Sequence, residues 1–210
     1  MAGKILNLNV EKYLDDLLPK RDAVLSEMER YAKKHDVPII GPACGRLLYL
    51  LAQISGAKRI FEMGSAIGYS TIWFAQAAGP GAEIYYTDGD PKNAERAQEN
   101  FRRAGVEDRI HILVGDALSH FDETEGQFDL ILIDINKHEY PAALQKAIPR
   151  LRSGGLLVTD NVLWSGRVTA KSKDVRTRAI QQFNQMIYSS KDLFPVIVPL
   201  RDGVAVCRKN

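Results

Sequence analysis

Thiols are scarce in this chain of 210 residues, which carries only Cys44 and Cys207. They do not form a metal-type pair, and two cysteines do not make a disulfide scaffold. Long hydrophobic runs are missing too, so no segment reads as a bilayer span. Residues 1–10 lack a basic start followed by a long apolar core, so no secretory signal is read and a cytoplasmic protein is expected. Charge of one sign is also absent. The 28 Lys and Arg against 26 Asp and Glu leave +2, too little by itself to argue for nucleic acid or a membrane. There is no internal repeat and no low-complexity linker. The length suits one domain, 1–210, with 1–55 as a helical extension and 56–210 as the core.

One further absence narrows the ligand. Residues 60–74 read as a short apolar strand ending near Glu62, a turn through Gly64 and Gly68, and an apolar helix stopped by Gly79 and Pro80. A strand, a glycine turn and a helix bring backbone N–H groups and a positive dipole end into one crevice, where a carboxylate or phosphate fits. The dinucleotide pattern G-x-G-x-x-G is not met, because Gly64 and Gly68 are four apart with Ser65 between them, so a nicotinamide or flavin dinucleotide is disfavoured. An acid at the strand end followed by G-x-x-x-G-Y-S is similar to motif I of the class I S-adenosylmethionine (SAM) methyltransferases. A plain βα turn would also use glycines here.

The rest of the chain supplies a rhythm. Residues 10–35 read as helical with a break at Pro19, since Leu14, Leu17, Leu18, Val24, Leu25, Met28 and Tyr31 recur at three- and four-residue steps. A second helix is expected over 43–54. Strands are then expected at 59–63, 83–87, 109–114, 128–134 and 156–159. Helices are expected at 69–78, 91–104 and 139–151, with a short segment after Asp116. Repeated βα alternation with apolar strands predicts a parallel sheet covered on both faces. After a helix at 174–188, strands at 195–200 and 204–208 flank Arg201-Asp202-Gly203, a hairpin signal. The expected fold is α/β and Rossmann-like: a seven-stranded, mostly parallel sheet ending in an antiparallel hairpin. End to end it resembles the class I methyltransferase fold.

Ligands in such a sheet bind beyond the carboxyl ends of the strands, and acids stand there in this chain. Asp90 before Pro91 suits a helix N-cap. Asp88 is left with no local duty and can accept hydrogen bonds from two ribose hydroxyls, unless it is a solvated loop acid. Asp116, followed by Ala117, can accept from an adenine amino group or cap the following turn. Asp134 emerges from an almost wholly apolar strand, with Lys137 three residues on. Asp160 and Asn161 emerge from the next. On neighbouring strands Asp134, Asp160 and Asn161 converge as oxygen donors suited to Mg²⁺, Ca²⁺ or Mn²⁺ rather than zinc. Taken singly, strand-end acids are mostly caps and turn formers.

Together these residues resemble the cation-dependent O-methyltransferase family of catechol and caffeoyl-CoA O-methyltransferases. The marks are Glu62-Met-Gly-x-x-x-Gly68-Tyr-Ser70, Asp134-Ile-Asn-Lys137 and Asp160-Asn161-Val162-Leu163-Trp164-x-Gly166. The resemblance implies a SAM site of Glu62, Gly64, Gly68, Tyr69, Ser70, Asp88, Asp116, Ala117 and Asp134. It implies a divalent-cation site of Asp134, Asp160 and Asn161, with Lys137 as catalytic base. A lesser reading of Lys137 is a surface lysine or a salt bridge to Asp134. The implied activity is methyl transfer from SAM to a hydroxyl of a catechol-like or vicinal-diol small molecule, by a homodimer joined through the helices before Gly56. Trp164 could wall the substrate or simply pack.

The loop after Trp164 is basic, with Arg167, Lys171, Lys173, Arg176 and Arg178. A solvated helix approach explains most of that, and an acidic small molecule or RNA phosphate is the sharper alternative. A tRNA hydroxyuridine O-methyltransferase therefore stands as the alternative function, and a SAM-holding module without catalysis as a third.

Overall fold

The computed structural model describes residues 8–210, apart from the side chain of Leu8. Three helices come first: α1 (Leu8–Asp16), α2 (Ala23–His35) and α3 (Gly41–Ile54). The break between α1 and α2 falls around Pro19. Asp22 then caps α2 by accepting from the Leu25 amide at 2.8 Å, and Asp36 ends it in the left-handed conformation.

The alternating part follows as β1 (Arg59–Met63), α4 (Tyr69–Ala78), β2 (Glu83–Asp88), α5 (Pro91–Arg103), β3 (Ile110–Val114), α6 (Ala117–Glu123), β4 (Phe128–Ile133), α7 (Tyr140–Arg150) and β5 (Leu151–Thr159). The chain closes with α8 (Val175–Ser189), β6 (Leu193–Val198) and β7 (Val204–Lys209). Strand order is β3-β2-β1-β4-β5-β7-β6. All neighbours are parallel except β7, which runs antiparallel to both β5 and β6. The expected seven-stranded sheet with its terminal hairpin is present.

Two boundaries differ from the sequence expectation. β5 starts at Leu151 rather than 156, because Leu151 pairs with Phe128 before the register shifts. The shift falls between Phe128 and Leu130, and beside it a Cβ on Gly155 would lie 2.9 Å from the carbonyls of Arg152 and Asp129. β6 starts at Leu193, two residues before Pro195. Proline is tolerated because β6 is an edge strand and needs no second ladder partner.

Strand alternation divides the core between the two faces of the sheet. Ile60, Leu130 and Leu132 join α2, α3, α4 and α5 around Leu48, Phe74, Tyr86 and Phe101. Phe61, Met63, Ile131 and Ile133 join α6, α7 and α8 around Phe121, Phe128, Tyr140 and Phe183. Each fully buried side chain of this size contributes roughly 1.5–3 kcal/mol. α4 is apolar almost all round because it lies inside, between the sheet and α3. Among the described residues no helix is long and apolar enough to cross a membrane.

The sheet order reverses between β1, which leads outward to β2, and β4. At that switch point the loops after β1 and β4 separate and leave a crevice. Gly64 makes the close approach possible. Its φ is +84°, and a Cβ there would sit 2.4 Å from the Asp134 carbonyl oxygen.

Candidate active site

A cavity of about 810 Å³ opens at this switch point. Gly64, Tyr69, Ser70, Asp88, Asp116, Ala117, Asp134, Lys137, Asp160 and Asn161 all lie on its wall. The topology therefore brings together nearly every residue singled out from the sequence.

Glu62 and Gly68 stand behind the wall. Glu62 is fully buried. It accepts hydrogen bonds from the hydroxyls of Ser70 and, at 2.6 Å, Thr71, so it fastens the first turn of α4 to β1. Burial pushes its carboxyl up to about 7, against the pull of those hydroxyls. Gly68 begins α4 at φ +82°, and a Cβ would lie 2.4 Å from the Phe101 ring. It brings the loop against α5, where Asn100 Nδ2 also donates to the Ile67 carbonyl at 3.1 Å.

Most of the loop amides are already engaged. Gly64 N–H donates to Thr87 Oγ1 at 3.1 Å, and Ala66 N–H to Asp88 Oδ2 at 3.0 Å. Those of Ser65 and Gly68 donate to the carbonyls of Thr87 and Ser65 at 2.9 and 2.8 Å. Any bound anion is therefore met by the first turn of α4, whose N–H groups have no partner within the helix. Tyr69 in that turn is anchored from outside: its hydroxyl donates to Glu29 at 2.7 Å, and Arg21 pairs with Glu29 at 2.7 Å.

Asp88 has the local duties that the sequence did not reveal. Besides the Ala66 amide, it accepts from the Asp90 amide at 2.9 Å and from Asn93 Nδ2 at 3.0 Å. It shapes the loop and still faces the cavity. Asp90 caps α5 as expected, accepting from the Lys92 amide at 2.9 Å. Asp116 combines both of its readings. It caps α6 through the Ser119 amide and hydroxyl at 2.8 and 2.7 Å and it lines the cavity. The Ser119 hydroxyl bond holds its carboxyl below the usual value.

At the other end Lys137 Nζ donates to Asp134 Oδ1 at 2.7 Å and to Tyr140 Oη at 2.8 Å. The salt bridge that was the lesser reading of Lys137 is thus present. Tyr140, which the sequence did not single out, is buried and donates to the Asp160 carbonyl at 2.9 Å, tying the ends of β4 and β5 together. Asp160 is 4% exposed. Its Oδ1 has no hydrogen-bond partner among the described residues, and Asn161 Nδ2 reaches Oδ2 at 3.3 Å. Burial first, then the nearby Asp134 charge, raise the Asp160 carboxyl to about 7.

Among the described residues no three of His, Cys, Asp and Glu are grouped as a metal would need. The trio here has two carboxylates and an amide. It nonetheless fits a hard cation, because a buried carboxylate oxygen without a partner, beside a second carboxylate, is stabilised by a positive charge. Asn161 is held at φ +59°, a conformation asparagine tolerates better than most residues. Trp164 lines the cavity, and the guanidinium carbons of Arg167 and Arg176 lie 5.2 and 5.9 Å from its ring centroid. Of the basic loop only Arg176 reaches the wall, joined there by Arg201 from the β6–β7 turn.

A parallel sheet finished by an antiparallel hairpin, with its cavity at the switch point, is the Rossmann-like fold of class I methyltransferases. Residues 18–210 match the family model described as O-methyltransferase. The chain is 36% identical over 182 residues to a catechol O-methyltransferase of Mycobacterium tuberculosis, covering 85% of this chain and 83% of that one. It is also 36% identical over 186 residues to a catechol O-methyltransferase of Niastella koreensis, at 85% and 84% coverage. The crystal structure of the O-methyltransferase from Bacillus cereus in complex with SAH superposes with a TM-score of 0.88 at 29% identity, covering 96% of this chain and 97% of that one. This chain belongs to the O-methyltransferase family.

Proposed function

We propose that the protein transfers a methyl group from SAM to one hydroxyl of a catechol-like vicinal diol, assisted by a divalent cation, in the cytoplasm. One observation carries this reading. Asp134, Asp160, Asn161 and Lys137 share a cavity with the α4 first turn, Asp88 and Asp116. An electrophilic methyl donor and a diol-binding group would therefore be held side by side. Two catechol O-methyltransferases among the relatives point the same way.

Ser70 and the first turn of α4 suit the amino-acid end of SAM, Asp88 its ribose, and Asp116 with Ala117 its base. SAM supplies a methyl already activated on a sulfonium. Asp134, Asp160 and Asn161 would hold the cation, which supplies Lewis acidity toward a bound hydroxyl. Lys137 stands as the acceptor of the hydroxyl proton at Nζ, and Tyr140 and Asp134 fix where that atom sits. Much of the acceleration comes from holding oxygen and methyl in line.

The test is transfer of labelled methyl from SAM to catechol, beside Asp160→Ala. Transfer that the variant loses while it still binds SAM supports the reading, and undiminished transfer by the variant removes the cation role.

We further propose a homodimer through the extension. Tyr13 on α1 and Leu17 just after it are 62% and 61% exposed, and Leu50 and Ile54 on α3 are 53% and 70% exposed. Large apolar side chains left open on two neighbouring helices favour a covering surface.

A further inference from the structure

The first turn of α4 is held by two carboxylates from different parts of the chain. Its first backbone bond runs from the Ile72 amide to the Gly68 carbonyl at 3.1 Å, so the amides of Tyr69, Ser70 and Thr71 have no partner within the helix. Each of these three residues carries a hydroxyl, and each hydroxyl is spent on an acid. Ser70 and Thr71 donate to Glu62 of β1. Tyr69 donates to Glu29 of α2 at 2.7 Å. Glu62 belongs to the sheet, but Glu29 comes from the N-terminal helices, outside the alternating part of the fold.

The Glu29 carboxylate is itself fixed. It accepts from Arg21 Nε at 2.9 Å and from Arg21 Nη2 at 2.7 Å, and the Arg21 and Glu29 side chains are only 22% and 18% exposed. A partly buried ion pair is a weak source of stability. Here it holds still the acceptor that a buried tyrosine needs, since Tyr69 is 1% exposed. Burial, then the bond to Glu29, raise the Tyr69 hydroxyl above its ordinary value, so it stays a donor. A second tie joins the same helices: Gln76 Nε2 donates to Asp22 Oδ2 at 3.0 Å. Asp22 stands seven residues before Glu29, and Gln76 seven after Tyr69. That spacing is about two helical turns on each side, so α2 lies antiparallel along α4, with the Glu29 tie at the cavity end.

We infer that Glu29 is a positioning residue for SAM: through Tyr69 it fixes the turn of α4 that meets the amino-acid end of the cofactor, which makes α2 a working part of the cofactor site. The inference rests on the reading above that seats that end on this turn. Hydrogen bonds to a carboxylate depend on where the donors point. The Tyr69 amide is one of those donors, and the Tyr69 ring is its lever. Without Glu29 the buried hydroxyl must seek another acceptor, and the turn shifts with the ring.

The test is calorimetric and needs neither a cation nor a methyl acceptor. SAH carries the amino-acid end, and 5′-methylthioadenosine has the same base and ribose without it. The wild type should bind SAH at least about tenfold more tightly than 5′-methylthioadenosine. Tyr69→Phe and Glu29→Ala should each weaken SAH about fivefold and leave 5′-methylthioadenosine within about twofold. Together they should do no more than either alone, because both break the same bond. Glu29→Gln keeps an acceptor oxygen and should recover part of the loss. Gln76→Ala cuts the far tie and should leave the ratio of the two affinities unchanged. A merely structural bond would alter both ligands alike. Should Glu29→Ala prove insoluble, Tyr69→Phe, which keeps the buried ring, carries the same comparison. A ratio that Tyr69→Phe and Glu29→Ala leave at the wild-type value, or that Gln76→Ala lowers as much as they do, would overturn the inference alone. A wild type that binds both ligands equally would unseat the amino-acid end from α4, and this inference with it.

Discussion

Glu62→Gln tests the buried frame behind the cofactor loop. Glu62 is completely enclosed and held by the hydroxyls of Ser70 and Thr71. Burial raises its carboxyl from 4.5 to about 7. Between those values the folded chain keeps a proton that the unfolded chain has lost. Stability must therefore fall as pH rises through that window, by roughly 1.4 kcal/mol per pH unit, and become level above the folded value. The total is about 3 kcal/mol over the window. Asp160 is raised to about 7 as well and slopes the same way. Asp116 and Asp129, which are lowered, act at more acid pH. The informative quantity is therefore the difference between wild type and Glu62→Gln, in which the other groups cancel. Urea denaturation followed by tryptophan fluorescence, in EDTA, at steps from about pH 4.5 to 8 would give it. The wild type should lose about 3 kcal/mol relative to the variant across that range. Parallel curves would show that Glu62 titrates as it does in the unfolded chain, and the argument from burial would fail.

Two other substitutions probe the scaffold. Gly68→Ala forces a left-handed alanine and sets a Cβ 2.4 Å from the Phe101 ring. It should cost about 2–3 kcal/mol in urea denaturation, and a loss under about 0.5 kcal/mol would mean that the loop is not wedged against α5. Ile54→Lys puts a charge on the 70% exposed apolar position of α3. By sedimentation velocity the wild type should run as a dimer and the variant as a folded monomer, and a wild type that is monomeric at all concentrations rules the dimer out.

Much of the sheet was legible because β1 and β4 alternate apolar side chains that feed two cores, and because Gly64 and Gly68 mark a turn that only glycine can make. The strand-end acids were legible as a set, since a parallel sheet brings its carboxyl ends to one edge. Their partners were not. Asp88 looked idle because the Ala66 amide and Asn93 that engage it come from different elements. The start of β5 at Leu151 was hidden because its pairing with Phe128 depends on a register shift. Tyr140 carried no motif, and its value lies in linking Lys137 to the Asp160 carbonyl across the β4–β5 gap. Arg201 read as part of a hairpin turn, and its bond to the Ile39 carbonyl joins residues far apart in the chain.

The measurement closest to the central claim is the cation dependence of methyl transfer. Protein stripped with EDTA and then titrated with Mg²⁺ is assayed for labelled methyl passed from SAM to catechol. Transfer should be negligible in EDTA, recover saturably with Mg²⁺, and fail to recover in Asp160→Ala. Full transfer in EDTA would contradict that claim, leaving Asp134, Asp160 and Asn161 as a structural cluster rather than a cation site.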